Sequence, residues 1–309
     1  MASIAMRSVN VKSVLFASDF SPASESPLRH ALAIARHYGA EFYLAHVASP
    51  HGYSIGCAGA LRYAIEVAQS NSEQLNQQLL ESGALAGLSH EFIVREGEVW
   101  EQLEQIIREK HADLVVVGTH ARHAPGKSLL GSVAEQIFRH AECPVLTVPP
   151  GPDEDSPIEQ QPALNTVLFP ADFSEVSLQA LPHAVSFANH FGAKLLLLHV
   201  LPAVPTPKDV RRYASEDVTQ MREEAPSAIL PRFEELITQQ AALAAKPEFV
   251  VNFGTPAEEI LHAARVHKAD VIILGLPHTA PGNAVSYAPW ATAYQVLCDA
   301  ACPVLTIEN

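Results

Sequence analysis

Residues 14–47 read VLFASDFSPASESPLRHALAIARHYGAEFYLAHV, and residues 167–200 read VLFPADFSEVSLQALPHAVSFANHFGAKLLLLHV. At a constant offset of 153 the two stretches are identical at 17 of 34 positions, so the chain can be aligned with itself. The match resumes at HADLVVVG (111–118) against KADVIILG (268–275), offset 157, and closes at CPVLTV (143–148) against CPVLTI (302–307), offset 159. The same order with small insertions is a tandem duplication. Between the copies, PPGPDEDSPIEQQP (149–162) holds five prolines and four acids, which stiffen and extend it as a linker. The expected organisation is therefore a first domain over 1–148, a linker over 149–162 and a second domain over 163–309.

Each copy alternates short β-rich runs with helical patterns. In the first copy the strands are expected at 13–18, 41–47, 91–94, 113–117 and 144–148, with helices at 27–38, 58–82 and 99–110. Ser21 before Pro22 has the form of a helix N-cap with proline at the first helical position. Apolar strands joined by helices imply an α/β fold with a parallel sheet covered on both faces.

Composition limits the function classes. Lys and Arg total 20 against 34 Asp and Glu, a net charge of −14, which disfavours a broad nucleic-acid surface or an anionic membrane as partner. With 48% hydrophobic and 17% charged residues the chain reads as a packed globular protein. Four cysteines in 309 residues suit a reducing compartment. MASIAMRSVNVKS lacks the apolar stretch of a signal peptide, and runs such as LLLLHV are far short of a membrane span, so a cytoplasmic location is expected.

Asp19 within VLFASDFS, His46-Val47 at the end of the second strand and GTHARHAPGKSLLGSVAEQIFRHAECPVLTV together resemble the universal stress protein family, over nearly all of both copies. The resemblance implies two Rossmann-like sandwiches of the adenine nucleotide alpha hydrolase type, each with a five-stranded parallel sheet of order 3-2-1-4-5. In that order the chain reverses between strands 1 and 4, where open α/β sheets bind ligands at the carboxyl ends of the strands. ATP-binding members carry a loop of the form G-x-x-G, nine residues, then G-S or G-T. Gly118, Gly131 and Ser132 match it, whereas Ala121 stands at the second glycine.

The resemblance places an adenine nucleotide, ATP with or without Mg²⁺, in the first copy against Ala17, Asp19, Val47, Gly118, Ala121, Arg122, Lys127, Gly131, Ser132 and Val133. Asp19 would accept hydrogen bonds from ribose or adenine, and the Val47 backbone would meet the adenine edge. The amides of Gly131, Ser132 and Val133 would face an anion with the positive end of a helix, and Ser132 would donate its hydroxyl to phosphate. Arg122 and Lys127 supply local positive charge. In the second copy Asp172, Val200 and Gly275 persist, but His278, Trp290 and Ala291 stand at the positions of the second glycine, Gly131 and Ser132, and residues 275–290 contain no Lys or Arg. The indole is expected to obstruct a phosphate there, leaving a degenerate site.

Other motifs have blander readings. ARHAPGKS (121–128) also fits a loose P-loop pattern, and Lys127 would be its lysine. His46/His199 and His30/His183 recur through shared ancestry, and His111, His120, His123 and His140 lack partners at metal-ligand spacing. Cys143 and Cys302 read as small apolar groups, Cys298 and Cys302 are two potential ligands at most, and Cys57 lies within GCAGA. No G-x-S-x-G, HExxH or triad is present, so an enzyme is not expected, with slow ATP hydrolysis at most. Three readings follow: a tandem stress protein that binds ATP in its first domain, with the second as a dimer-like partner; a nucleotide-free interaction or small-ligand protein; and a P-loop ATPase. By the same resemblance the copies pair through the terminal strands, as a pseudo-dimer within one chain or in a further homodimer.

Overall fold

The computed structural model describes residues 11–49, 58–119, 130–150, 162–202, 215–238, 240, 243–277 and 288–308. The first copy runs β1 (Ser13–Ala17), α1 (Glu25–Tyr38), β2 (Glu41–Ala48), α2 (Ala58–Glu81), β3 (His90–Glu96), α3 (Val99–Glu109), β4 (Leu114–Gly118), α4 (Ser132–His140) and β5 (Val145–Val148). The second runs β6 (Thr166–Pro170), α5 (Glu175–Phe191), β7 (Lys194–Leu201), α6 (Ser215–Thr238), β8 (Glu248–Phe253), α7 (Pro256–Val266), β9 (Val271–Leu276), α8 (Ala288–Asp299) and β10 (Val304–Glu308). By compactness the chain divides into one unit of Asn10–Ala163 with Ala301–Thr306 and another centred on Leu164–Ala300. Most of the linker, 151–161, lies outside the described residues.

In the first copy the strand order is β3-β2-β1-β4-β5, with parallel pairing throughout. The second repeats it as β8-β7-β6-β9-β10. Burial explains why these runs are strands: four consecutive residues of β1, of β4 and of β5 are buried, which a strand allows only when both sheet faces are covered. Helix α1 buries Leu28, Ala31, Leu32 and Ala35 at i, i+3, i+4 and i+7, and Ser26, Pro27, Arg29, Ala33 and Ile34 besides, so it is covered around most of its girth. It ends at Gly39, whose φ of 64° is the left-handed stop that side chains resist.

A carboxylate fixes the start of the first strand in each copy. Asp113 Oδ2 accepts the N–H groups of Lys12 and Ser13 at 2.8 and 3.1 Å, and Asp270 Oδ2 accepts those of Asn165 and Thr166 at 2.7 and 2.9 Å. These aspartates belong to the repeated A-D-[LV] that opens strand 4, so strands 1 and 4 of each copy are tied at their amino ends, opposite the switch-point cleft.

Ser21 takes the expected N-cap position with Pro22 at the first helical position, but the hydroxyl bond of a cap is missing. Ser21 precedes a single 3₁₀ turn, Pro22–Ser24, its side chain makes no capping bond, and α1 starts only at Glu25. Its counterpart Ser174 does cap, accepting the Ser177 N–H at 3.2 Å. The difference lies in the donor three residues on: the Ser24 N–H donates to the Ser21 backbone carbonyl at 2.9 Å and closes the 3₁₀ turn, whereas the Ser177 N–H donates to the Ser174 hydroxyl.

His30 in α1 and His183 in α5 occupy equivalent places, and burial lowers the pKa of each below 6.5, against a smaller opposing bond from His30 Nδ1 to the Ser26 carbonyl. The folded chain thus binds fewer protons than the unfolded one, so stability falls as pH drops below about 6.5 toward the folded values. His30→Asn and His183→Asn are expected to flatten the pH dependence of urea midpoints over that window, and an unchanged slope in the double variant would refute the assignment.

Candidate functional site

In each copy the first strand ends in a turn of Asp-Phe-Ser whose phenylalanine has positive φ, 56° at Phe20 and 61° at Phe173. A bulky residue in the left-handed region costs on the order of 1–3 kcal/mol and persists only where its surroundings compel it. Here they do. Asp19 Oδ1 accepts from the Ser21 N–H at 2.9 Å and from the Ser24 hydroxyl at 2.8 Å. His46, from β2, donates through Nδ1 to the Ser18 carbonyl at 2.8 Å and packs its tilted ring against Phe20 with centroids 4.6 Å apart. His199 repeats this against the Ala171 carbonyl at 2.6 Å and Phe173 at 4.8 Å. The recurring histidines therefore hold the turn, a role whose only trace in the sequence is the paired repetition of D-F-S and H-V.

Above this turn, at the carboxyl ends of β1 and β4, lies a cavity of about 180 Å³. Ala17, Asp19, Val47, Gly118, Gly131, Ser132 and Val133 all line it. Ala121, Arg122 and Lys127 lie outside the described residues, as do the P-loop-like segment 121–128, Cys57 and His278. Sequence reading misses Ser18, Ser24, His46, Val99, Leu103 and Ala134, which also face the cavity. Val99 and Leu103, one turn apart on α3, carry no signal beyond amphipathicity.

The amino end of α4 supplies donors. Gly131 is its N-cap, with φ −60° and ψ 148°, and no side chain caps it. The expectation that the Gly131 amide faces an anion is corrected, since that N–H donates to the Thr119 carbonyl at 2.8 Å. This bond fastens the end of the loop to the end of β4. Among the described residues, nothing accepts from the next three N–H groups, Ser132, Val133 and Ala134, and all three residues line the cavity. Anion-accepting capacity is thus displaced by one residue toward the helix.

Gly118 has a packing role as well. A Cβ there would lie 3.3 Å from Pro27 Cγ, and at Gly275 it would lie 2.9 Å from both Ala180 Cβ and the Val176 carbonyl. Close approach of the first helix to strand 4 therefore requires the glycine even where no phosphate is bound.

The second copy has the larger cleft, about 280 Å³, lined by Pro170, Asp172, Ser177, Val200, Gly275 and Pro289 among others. Obstruction by Trp290 is corrected. Helix α8 begins at Ala288, three residues ahead of the position aligned with Ser132, and Trp290 is only 1% exposed, its indole in the core. Pro289 and Thr292 line the cleft instead. An extra turn of helix has rotated the indole away and put a residue without N–H where an anion would look for one.

Two α/β units, each with a ligand-sized cleft at its strand switch point, define a tandem protein of the Rossmann-like class. The sequence profile of the Universal stress protein family matches residues 10–149 and 164–307. The chain is 32% identical over 145 residues to a universal stress protein of Thermus aquaticus, covering 46% of this chain and 98% of that one. It is 29% identical over 192 residues to one from Mycolicibacterium smegmatis, covering 60% and 63% respectively. The crystal structure of a universal stress protein from Archaeoglobus fulgidus superposes with a TM-score of 0.70 at 19% identity, covering 96% of this chain and 98% of that chain, a likeness of fold. The chain belongs to the universal stress protein family, with the domain present twice. Among the described residues, no helix is long and apolar enough to cross a membrane.

Asp19→Ala removes two bonds that set the turn, whereas Asp172→Ala removes the bond from the Ser174 N–H. Denaturant titrations should show a loss of about 1–2 kcal/mol for Asp19→Ala and about half of that for Asp172→Ala, with Asp19→Asn near the parent because Oδ1 survives. Equal losses for the two alanine variants would contradict the roles given to Ser24 and Asp19.

Proposed function

We propose that the first copy binds an adenine nucleotide, ATP with or without Mg²⁺, in the cleft between β1 and β4, and that the second copy binds none and acts as its structural partner. One observation carries the reading: a carboxylate, Asp19, and the helix-terminal residues Ser132 to Ala134, whose amides have no acceptor among the described residues, line one cavity at the strand switch point. The carboxylate suits hydroxyl or amino donors of a nucleoside. The amides suit phosphate, each favourable placement at a helix start being worth about 0.3–1 kcal/mol. Arg122 and Lys127 follow Gly118 in the chain and add positive charge to the loop that leads to α4, while 275–290 in the second copy has no Lys or Arg. Membership of the family and the spacing of Gly118, Gly131 and Ser132 support the same assignment.

A second reading, a nucleotide-free protein that takes another small ligand or a partner, draws on the Gly131 N–H being already engaged by Thr119. Calorimetric titration of ATP into the full chain separates the two. Saturation at one nucleotide per chain is expected, with stabilisation of about 2.7 kcal/mol at a hundredfold excess over Kd. Val133→Trp, which fills the cleft, should weaken binding more than tenfold without lowering the melting temperature of the free protein. Absence of saturable heat at millimolar ATP selects the nucleotide-free reading.

A further inference from the structure

We propose that the cleft of the second copy is a binding site for an uncharged, largely apolar small molecule that presents one hydrogen-bonding group to Ser177. This stands apart from the nucleotide assignment, because it concerns the other copy and an opposite chemistry.

The lining has exchanged amide for carbon. Pro170, Pro256 and Pro289 stand at the places of Ala17, Val99 and Leu130, Leu276 stands at that of Thr119, and Ile260 and Pro277 complete the wall. Proline brings apolar surface and no N–H, so the positions it occupies cannot donate to an anion. The charged group in the lining, Asp172, is exposed, with its Oδ1 accepting from Ser174, and water screens it from the interior. An anion is repelled there and a cation gains little.

Ser177 supplies the specific contact. At the same place in the first copy, Ser24 donates its hydroxyl to Asp19 Oδ1 at 2.8 Å. In the second copy that bond is gone: Ser177 is 6% exposed, its Oγ has no hydrogen-bond partner among the described residues, and the residue lines the cleft. A buried hydroxyl without a partner is costly, and a ligand that answers it recovers the loss. Apolar cavities of roughly 150 Å³ hold benzene, so about 280 Å³ admits a molecule of two or three rings. A mostly carbon wall with a few polar groups, here the hydroxyl residues Ser174, Ser177 and Thr292 and the exposed Asp172, is the usual form of such a site.

N-phenyl-1-naphthylamine, an uncharged three-ring fluorophore with one N–H, is the probe, titrated into the full chain. Enhanced, blue-shifted emission saturating at one probe per chain is expected, unaffected by excess ATP. Thr292→Trp, which fills the cleft, should weaken binding at least tenfold, and the near-isosteric Ser177→Ala severalfold, both with melting temperatures close to the parent. Absence of saturable emission up to the solubility limit of the probe would overturn the proposal. So would displacement by ATP or loss of the probe in Val133→Trp, each of which locates it in the first cleft. Should Thr292→Trp not fold, unchanged affinity in Ser177→Ala is by itself sufficient to reject the site. A flat ATP titration leaves all these outcomes unaltered.

Discussion

The left-handed phenylalanine after the first strand is the constraint on which each copy depends. At Phe20 and Phe173 the chain leaves the carboxyl end of the central strand, reverses and enters the first helix, at a conformation that an aromatic residue adopts only under compulsion. The compulsion comes from elements distant in sequence. A histidine on the second strand holds the carbonyl before the turn and packs against the ring, and an aspartate within the turn gathers the amide that follows. Because Asp19 and Asp172 are positioned by the same bonds that make the turn, the floor of each cleft is built before any ligand arrives. In the second copy the ring is also packed by Phe233 and lies under the Arg232 guanidinium at 3.9 Å, whereas the aligned position of Phe233 in the first copy is Asn76.

One scaffold thus carries two clefts of different chemistry, and the divergence rests on a few local substitutions. Helix α4 starts on Gly131 and leaves three amides with no acceptor among the described residues, while α8 starts earlier and carries a proline in its first turn. Ser24 is committed to Asp19, while the buried Ser177 hydroxyl has no partner among the described residues. None of these changes disturbs the sheet, whose parallel pairing and buried strands are set by continuous apolar runs. Duplication therefore allowed the binding surface to change while the glycine that lets the first helix approach strand 4 stayed fixed at both Gly118 and Gly275.

Much of this is legible in the residues alone. The internal alignment places two copies, the apolar runs place the strands, and the strand order implied by the resemblance puts Asp19, Val47, Gly118 and Ser132 at one end of the sheet. The misreadings share a cause, a partner contributed by a segment that the local pattern does not display. Spacing leaves the Gly131 amide open, yet a carbonyl just past β4 takes it. Alignment puts Trp290 in the cleft, yet three more helical residues turn it into the core. Ser21 sits at the cap position, yet its backbone carbonyl rather than its hydroxyl takes the Ser24 N–H.

Residue type and spacing, which the sequence displays directly, determined the repeat, the α/β class and which side chains could meet at the switch point, because periodicity and burial are properties of each segment. Whether a given amide, hydroxyl or indole is available to a ligand was decided only by the tertiary structure. That availability depends on whether another segment already supplies the acceptor or the space, and such partners are set by the packed chain rather than by neighbours in sequence.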